Sequence, residues 1–205
     1  MCAGKKVIHV GCVDHLEVLD SKIQRGIWLH KRLTDVSKRC LGVDINAAGI
    51  ERLRELGHDD VICADLTQEA PAAITGDDWD VMVLGEILEH VDDPTTFLRS
   101  LRGHLRGHVE TIVVTVPSAF SLQNMWYALQ GKECINSDHR YWFSPYTLAK
   151  IMMLAGLTPI DFHLCKSAPP DSEAGVRGRL RSIVRDSIVR VSPGLDVNLV
   201  MTARL

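Results

Sequence analysis

Acidic residues follow three strand-like segments of this sequence, at positions suited to binding a nucleoside. Asp44 and Asp65 end two successive apolar segments, and Gly85-Glu86 ends a third. A carboxylate offers two oxygens to neighbouring hydroxyls, which suits Asp44 to a ribose diol, while Asp65 is placed to accept from an exocyclic amine such as that of adenine. The competing interpretation is that each aspartate only caps the next helix. Three such residues on successive strand ends favour ligand binding.

Two histidines are candidates for acid–base chemistry. His139 lies in segment 118–143, which is rich in aromatic and large polar side chains and is expected to cover the ligand crevice. His90 follows Glu89 shortly after the third of the acidic strand ends. Histidine is only partly protonated near neutral pH, so either side chain can accept a proton from a hydroxyl. For both, a purely structural hydrogen bond is the competing interpretation.

Two further groups of side chains have an ambiguous role. Four aromatic residues either stack on a sugar or aromatic ligand or pack segment 118–143 onto the sheet: Trp126, Tyr127, Tyr141 and Trp142. Five arginines either recognise an anionic group or form a solvated helix face: Arg177, Arg179, Arg181, Arg185 and Arg190.

Strands and helices alternate along the first half of the chain. The predicted strands span residues 7–12, 40–45, 61–64, 79–85 and 111–116. The predicted helices between them span residues 21–39, 47–56 and 94–105. The strands are continuous apolar runs, as a parallel sheet covered on both faces requires. This pattern predicts an α/β fold with a doubly wound sheet, whose ligands bind at the carboxyl ends of the strands.

The regular alternation of predicted strands and helices ends after residue 117. Segment 118–143 is interpreted as a lid or substrate segment, and residues 167–178 are predicted to form a flexible loop from their composition. The remaining predicted elements are a helix at 144–156, a strand at 157–164, an amphipathic helix at 180–191 and a last strand at 195–203.

Length and composition narrow the class of protein. The chain has 205 residues, 46% of them hydrophobic, and a formal net charge of −3. This fits one domain over residues 1–205 and argues against both a disordered chain and a general nucleic-acid binder. No apolar run approaches the roughly 18 residues of a membrane span, and the first residues do not resemble a signal peptide. We expect a cytoplasmic protein with no integral membrane segment.

The six cysteines show no metal-binding spacing. None forms a CxxC pair, and Cys12, Cys40 and Cys63 fall within apolar, strand-like runs. Small buried thiols explain them better than a disulfide framework or a zinc site. No metal site is predicted.

Six segments together carry a resemblance to a known family. They are VIHVGCVDH (7–15), LGVDI (41–45), VICADL (61–66), WDVMVLGEILEHVDDP (79–94), HVETIVVTVPSAF (108–120) and DHRYWFSPYTLAKIMMLAGL (138–157). In this order and spacing they resemble the class I S-adenosylmethionine-dependent methyltransferases, especially small bacterial members. The resemblance implies a Rossmann-like, mostly parallel seven-stranded sheet with an antiparallel last strand, and S-adenosylmethionine as cofactor with S-adenosylhomocysteine as product.

The resemblance also implies which residues bind the cofactor. They are His9, Gly11, Cys12, Asp44, Ile45, Asp65, Leu66, Gly85 and Glu86. The first motif departs from the family pattern, because His9 stands where an acidic residue is usual, and Val13 and His15 stand where further glycines are usual. The missing GxGxxG argues against a nicotinamide enzyme, since a pyrophosphate could not approach the turn closely. S-adenosylmethionine has no pyrophosphate and depends less on those glycines.

The leading hypothesis is methyl transfer to a small-molecule or glycan-type acceptor, with oxygen as the methylated atom and His139 or His90 as the base. A nucleic-acid substrate is disfavoured because the fourth strand ends in Gly-Glu-Ile-Leu, without the Asn/Asp-Pro-Pro-aromatic signature of base-amino methyltransferases. The alternative is a catalytically silent, methyltransferase-like partner subunit; a nicotinamide oxidoreductase is the third option. A homodimer contact beside residues 167–178 is a further hypothesis.

Overall fold

A seven-stranded sheet forms the centre of the computed structural model, which describes residues 1–165 and 187–205. Within these residues the strand order is β3-β2-β1-β4-β5-β7-β6. The strands are β1 (Lys6–Val10), β2 (Arg39–Asp44), β3 (Val61–Cys63), β4 (Trp79–Gly85), β5 (Val109–Pro117), β6 (Thr158–Cys165) and β7 (Asn198–Arg204). Neighbours from β3 to β5 pair in parallel, and β7 pairs antiparallel with both β5 and β6. The predicted Rossmann-like sheet with its antiparallel last strand is confirmed.

Helices connect the strands and cover the sheet. They are α1 (Leu16–Gln24), α2 (Leu29–Val36), α3 (Ala47–Glu55), α4 (Ala72–Thr75), α5 (Pro94–Leu105), α6 (Leu122–Leu129) and α7 (Pro145–Leu154). Several begin at caps visible in the sequence, since the side chains of Asn46, Asp93 and Ser144 each accept a backbone amide of the first turn. None of the helices is long and apolar enough to cross a bilayer within the described residues.

The prediction of one helix over residues 21–39 is wrong. The segment forms α1 and α2, separated at Gly26, whose φ of +66° lies outside the helical region. The break lets Trp28 enter the core, where its indole Nε1 donates a hydrogen bond of 2.8 Å to the carbonyl oxygen of Cys12. Burial of this large side chain favours the break over a continuous helix.

Segment 118–143 contains a helix that the sequence analysis did not predict. Helix α6 is capped by Ser121, and none of its residues is buried. Trp126 is 62% exposed, so it does not pack the segment onto the sheet. The predicted flexible loop 167–178 lies outside the described residues, as does most of the predicted helix 180–191, of which residues 187–191 are helical.

The cysteines are all free thiols, but the expectation that they are buried is wrong for Cys63 and Cys134, which are exposed. Cys12 and Cys40 are buried, whereas Cys63 is exposed at the end of β3. The strand β3 is short and lies at the edge of the sheet, so its last side chain reaches the surface.

Candidate active site

A cavity of about 600 Å³ opens at the carboxyl ends of β1, β2, β3 and β4. Every residue predicted to bind the cofactor or to act in catalysis lines it: His9, Gly11, Cys12, Asp44, Ile45, Asp65, Leu66, Gly85, Glu86, His90 and His139. The strand order explains this convergence, because parallel neighbours bring their carboxyl ends to one edge of the sheet.

At the turn after β1, backbone atoms of a glycine line the cavity. Gly11 has a φ of +74°, and a Cβ built there would lie 2.9 Å from the Cδ1 atom of Ile87. A side chain at this position would therefore be strained and would collide with the segment after β4. Glycine avoids both the strain and this contact at the turn.

Asp44 joins the ends of β1 and β2 as well as facing the cavity. One carboxylate oxygen accepts the backbone amide of Val13 at 2.9 Å, and the other accepts that of Asn46 at 2.9 Å. Each carboxylate oxygen has a second lone pair, so both can still accept a ligand hydroxyl. The structural and ligand-binding interpretations of Asp44 are therefore compatible.

Asp65 is exposed at the rim beyond β3. Its Oδ1 atom accepts the backbone amide of Thr67 at 2.9 Å and the hydroxyl of the same residue at 2.6 Å. Its Oδ2 atom takes no part in these bonds, and the residue lines the cavity. Leu66 beside it is buried and supplies apolar wall.

A buried histidine pair replaces the acidic residue usual in the first motif. His9 is 3% exposed, and its Nδ1 atom lies 3.2 Å from Nδ1 of His30 on α2. Burial away from water lowers the pKa of His9 to about 3 and that of His30 to about 4. Both rings are neutral at neutral pH, so one Nδ1 carries a proton and donates it to the other.

The end of β4 is strained. Glu86 has a φ of +55°, a conformation that costs a non-glycine residue about 1–2 kcal/mol. Thr115 on β5 holds it there, accepting the Glu86 amide through its carbonyl oxygen at 3.0 Å and donating its hydroxyl to Oε1 at 2.9 Å. Strain of this kind is typical of functional sites, where neighbouring contacts fix it.

Three chemically active side chains meet beside Glu86. Glu89, His90 and His139 each place a ligand atom within 4.8 Å of the others, and the two imidazole centroids lie 4.7 Å apart. Glu89 is 0% exposed, and neither carboxylate oxygen has a hydrogen-bond partner among the described residues. Burial and the neighbouring Glu86 carboxylate both raise the pKa of Glu89. Burial also lowers the pKa of His139, which favours its neutral form.

Arg140 brings His139 into the site from a distant part of the chain. Its amide donates to the carbonyl oxygen of Glu89 at 2.7 Å, its Nη1 donates to that of His90 at 2.6 Å, and its Nε pairs with Asp92. Tyr141 adds a hydroxyl donor to the Asp92 carbonyl oxygen at 2.6 Å. The segment after α6 is thereby fixed on the turn after β4.

Comparison with known proteins agrees with this geometry. A family model described as a methyltransferase domain matches residues 3–161. The chain belongs to this methyltransferase family. Fold, family and cofactor were predicted correctly: it is an S-adenosylmethionine-dependent methyltransferase.

Individual relatives of this methyltransferase are distant. It is 28% identical over 171 residues to a ubiquinone biosynthesis O-methyltransferase of Aeromonas salmonicida, which covers 81% of this chain and 68% of that protein. A protein of the same description from Stutzerimonas stutzeri is 27% identical over 167 residues, covering 78% and 67%. A crystal structure of an S-adenosylmethionine-dependent methyltransferase from Archaeoglobus fulgidus superposes with a TM-score of 0.54 at 19% identity, covering 100% of this chain and 86% of that one.

The methyltransferase site contains residues that the sequence analysis did not single out. Lys22 on α1 lines the cavity and pairs with Asp14, whose φ of +61° marks a second tight position after Gly11. Glu89 was treated only as a neighbour of His90, although its place in GEILEH could have marked it as a third polar group after β4. Lys22 gave no such signal, because it lies within α1 and does not follow a strand end.

The four aromatic side chains proposed to stack on an acceptor do not line the methyltransferase cavity. Trp126 is exposed on α6, and the hydroxyl of Tyr141 is engaged with Asp92. Phe97 of α5 lies in the cavity wall instead, together with Val91. This part of the cavity is lined by the segment after β4 and by α5, and segment 118–143 contributes Asn136 and His139.

Proposed function

We propose that this methyltransferase transfers a methyl group to a hydroxyl oxygen of a small molecule, and that His90 and His139 act at the acceptor oxygen. The observation that carries the proposal is that two imidazoles, from segments about 50 residues apart, meet in the same cavity as the carboxylates at the ends of β2 and β3. One cavity then holds cofactor and acceptor together.

The cofactor side is assigned to the turn after β1 and to the ends of β2 and β3. Asp44 would accept the ribose hydroxyls and Asp65 the adenine amine, with Leu66 and Ile45 as apolar walls. Gly11 leaves room for close approach of a ligand at the turn. The bound cofactor supplies an electrophilic methyl group, so these residues have only to hold and orient it.

His9 occupies the position in the first motif where an acidic residue is usual, and a neutral imidazole must bind the cofactor in a different way. A neutral imidazole in a dry site can accept a hydrogen bond from the cofactor's ammonium through Nε2, provided that Nδ1 carries the proton. His9 takes this tautomer when its Nδ1 atom donates to Nδ1 of His30, 3.2 Å away. We assign His9 to the methionine end of the cofactor and His30 to positioning it.

Oxygen is favoured as the methylated atom by the relatives and by the site. The curated relatives named above are O-methyltransferases. A hydroxyl acceptor must lose its proton as the new bond forms, and His139 is neutral and able to take it, because burial lowers its pKa. A cavity of about 600 Å³ is within the usual range for small-molecule sites, which supports a small acceptor over a polymer.

The proposal is tested in two stages. Calorimetry with S-adenosylhomocysteine should show one site of micromolar or tighter affinity, and absence of binding would favour the catalytically silent subunit. Methyl transfer from labelled cofactor is then measured against matched acceptors that differ in one atom: phenols, the corresponding anilines, simple glycosides and short RNA. Transfer confined to the hydroxyl compounds supports O-methylation, while transfer to the anilines or to RNA bases contradicts it.

A further inference from the structure

We infer that two copies of this methyltransferase associate through the free edge of β6, with the two strands antiparallel about a twofold axis at Phe162. Strand β6 is last in the strand order, so among the described residues its outer edge has no neighbouring strand. It is eight residues long, and a long apolar edge strand is a template for pairing with another chain. The inference does not depend on the proposed function, because β5 and β7 separate β6 from the strands that line the cavity.

The opposite edge of the sheet is built differently. Strand β3 has three residues, and the exposed carboxylate of Asp65 follows it. Proteins commonly keep edge strands short or charged, which prevents pairing between chains. On β6, by contrast, the side chains of Ile160 and Phe162 are 56% and 47% exposed. The sheet therefore has one short edge and one long edge with exposed apolar side chains.

The hydrogen bonds of β7 show which backbone groups of β6 face outward. The amide of Leu205, just after β7, donates to the carbonyl oxygen of Glu110 on β5, and alternate residues of a strand face the same neighbour. Thr202 therefore faces β6, where it lies opposite Asp161. Phe162 follows Asp161, so its amide and carbonyl groups point away from β7. These groups are available to a partner strand.

A twofold axis at Phe162 makes this edge complementary to itself. The Phe162 residues of the two copies then lie opposite each other and can exchange both backbone hydrogen bonds. Asp161 falls opposite the partner's His163, and His163 falls opposite the partner's Asp161. A carboxylate accepts a hydrogen bond from an imidazole N–H whether or not the ring is charged. Cross-strand pairs of this kind stabilise an antiparallel ladder.

Neighbouring registers lose this complementarity. Outward-facing residues must stay opposite one another, so the nearest other positions for the axis are Asp161 and His163. An axis at Asp161 places two carboxylates opposite each other, and an axis at His163 places two imidazoles opposite each other. Like charges directly opposite destabilise a strand pair. The side chains therefore select the register centred on Phe162.

The polar groups of this edge already make the same kinds of bond within one copy. His163 Nε2 lies 3.1 Å from Asp161 Oδ2, and both side chains are more than half exposed. The amide of Phe162 donates to Asp161 Oδ1 at 2.7 Å. Association exchanges these local bonds for bonds across the axis. None of these polar groups has to be buried without a partner, which would be costly.

Apolar contacts accompany the polar ones. A groove of about 280 Å³ beside β6 is lined by Ile160 and Phe162 together with Tyr146 of α7, which is 74% exposed. Opposite side chains of a strand pair lie on the same face of the sheet, so the grooves of the two copies meet at the axis. An irregularity between Pro159 and Asp161 bends the strand and limits the ladder to its central residues. We expect a small interface of this kind to give a dimer of micromolar affinity.

Analytical ultracentrifugation of the purified full chain, over a micromolar concentration series, tests the association. The mass should rise from monomer toward dimer with concentration. Phe162→Lys places two like charges at the axis and should weaken the dimer at least about fivefold. Leu129→Lys is the matched control and should associate like wild type, because Leu129 is an apolar residue of α6 that is 79% exposed. Unchanged S-adenosylhomocysteine affinity in both variants shows that the fold is intact.

Two further variants test the register. Asp161→Lys leaves basic side chains at both positions and His163→Asp leaves carboxylates at both, so each variant alone should dimerise at least about fivefold more weakly than wild type. In an equimolar mixture, every opposite pair across the axis again joins a basic side chain to a carboxylate. Association should then recover to within about threefold of wild type. Mixing cannot restore the pair within either strand, so recovery reports only on contacts between copies.

Three outcomes contradict the inference. Wild-type protein that stays monomeric throughout the series would overturn it. A dimer that survives Phe162→Lys, or that is lost in Leu129→Lys, would place the interface elsewhere and overturn it as well. A mixture that associates no better than the separate variants would overturn the antiparallel pairing about Phe162.

Discussion

The backbone amide of Arg140 donates a hydrogen bond of 2.7 Å to the carbonyl oxygen of Glu89, and this contact joins the segment that carries His139 to the turn after β4. The guanidinium of the same residue reaches His90 and Asp92. Together with the hydrogen bond from Tyr141 to Asp92, these contacts hold the turn after β4 against the segment that carries His139.

Arg140→Ala should impair the acceptor side without disturbing the cofactor side. Loss of the guanidinium contacts frees the segment around His139, so we expect kcat to fall at least about tenfold. Affinity for S-adenosylhomocysteine, measured by calorimetry, should remain within about twofold. Arg32→Ala, an exposed position on α2, is the control. Equal losses of cofactor affinity and kcat in Arg140→Ala would argue against a local positioning role.

His139→Ala should reduce turnover far more than cofactor binding. As the proposed base, the imidazole takes the proton of the acceptor hydroxyl, and its loss should cost about 10²–10⁴-fold in kcat. Steady-state kinetics with a hydroxyl acceptor, together with calorimetry, separates the two effects. Wild-type turnover in this variant would remove His139 from the catalytic machinery.

Asp44→Ala should weaken S-adenosylhomocysteine binding by about 1.5–3 kcal/mol, the usual cost of losing a charged hydrogen-bond acceptor. The melting temperature should fall as well, because the amides of Val13 and Asn46 lose their acceptor. Asp35→Ala removes only an exposed ion pair with Lys31 and is the control for both the cofactor affinity and the melting temperature. A variant that melts lower but binds the cofactor normally would leave Asp44 with a structural role alone.

Gly11→Ala and Gly26→Ala separate backbone strain from steric conflict. Both glycines have positive φ, +74° and +66°, but a Cβ at Gly26 meets nothing within 4 Å, whereas at Gly11 it meets Ile87 at 2.9 Å. Gly26→Ala should cost about 1–2 kcal/mol of the free energy of unfolding. Gly11→Ala should cost more and should also weaken cofactor binding. Equal costs measured by denaturant titration would show that the contact with Ile87 relaxes freely.

His30→Asn should remove a pH-dependent part of the stability. The folded pKa of His30 is about 4, below its ordinary value of 6.5, so the unfolded chain binds the proton first and acid destabilises the fold. Stability from this group is complete above about pH 7 and declines as the pH falls through 6.5. Between pH 7.5 and 5.5 the loss is about 1.4 kcal/mol.

The measurement compares unfolding free energies of wild type and His30→Asn at both pH values, which cancels the titration of other groups. The advantage of wild type over the variant should shrink by about 1.4 kcal/mol at the lower pH. Asparagine keeps a polar atom near the place of Nδ1, so the contact with His9 is disturbed little. A difference that stays constant with pH would show that the pKa of His30 is the same in the folded and unfolded chain.

The cavity-lining residues at the carboxyl ends of β2, β3 and β4 could be predicted from sequence because their determinants are local. Each of Asp44, Asp65 and Gly85 directly ends a continuous apolar run, and the carboxyl ends of parallel strands necessarily meet at one edge of the sheet. The bounds of β4 and α5 were also predicted correctly, since Pro94 in the first turn and the apolar spacing mark the helix.

The sequence by itself determined the order of elements, the fold class and the polar residues at the strand ends, because apolar periodicity and turn residues act over a few neighbouring positions. Tertiary structure decided the rest. Three contacts join segments that are far apart in sequence. They are the contact of His9 with His30, the hydrogen bond from Arg140 to Glu89 and the ring contact of His90 with His139. No local pattern encodes such contacts, because they arise only when packing of the whole sheet brings the segments together.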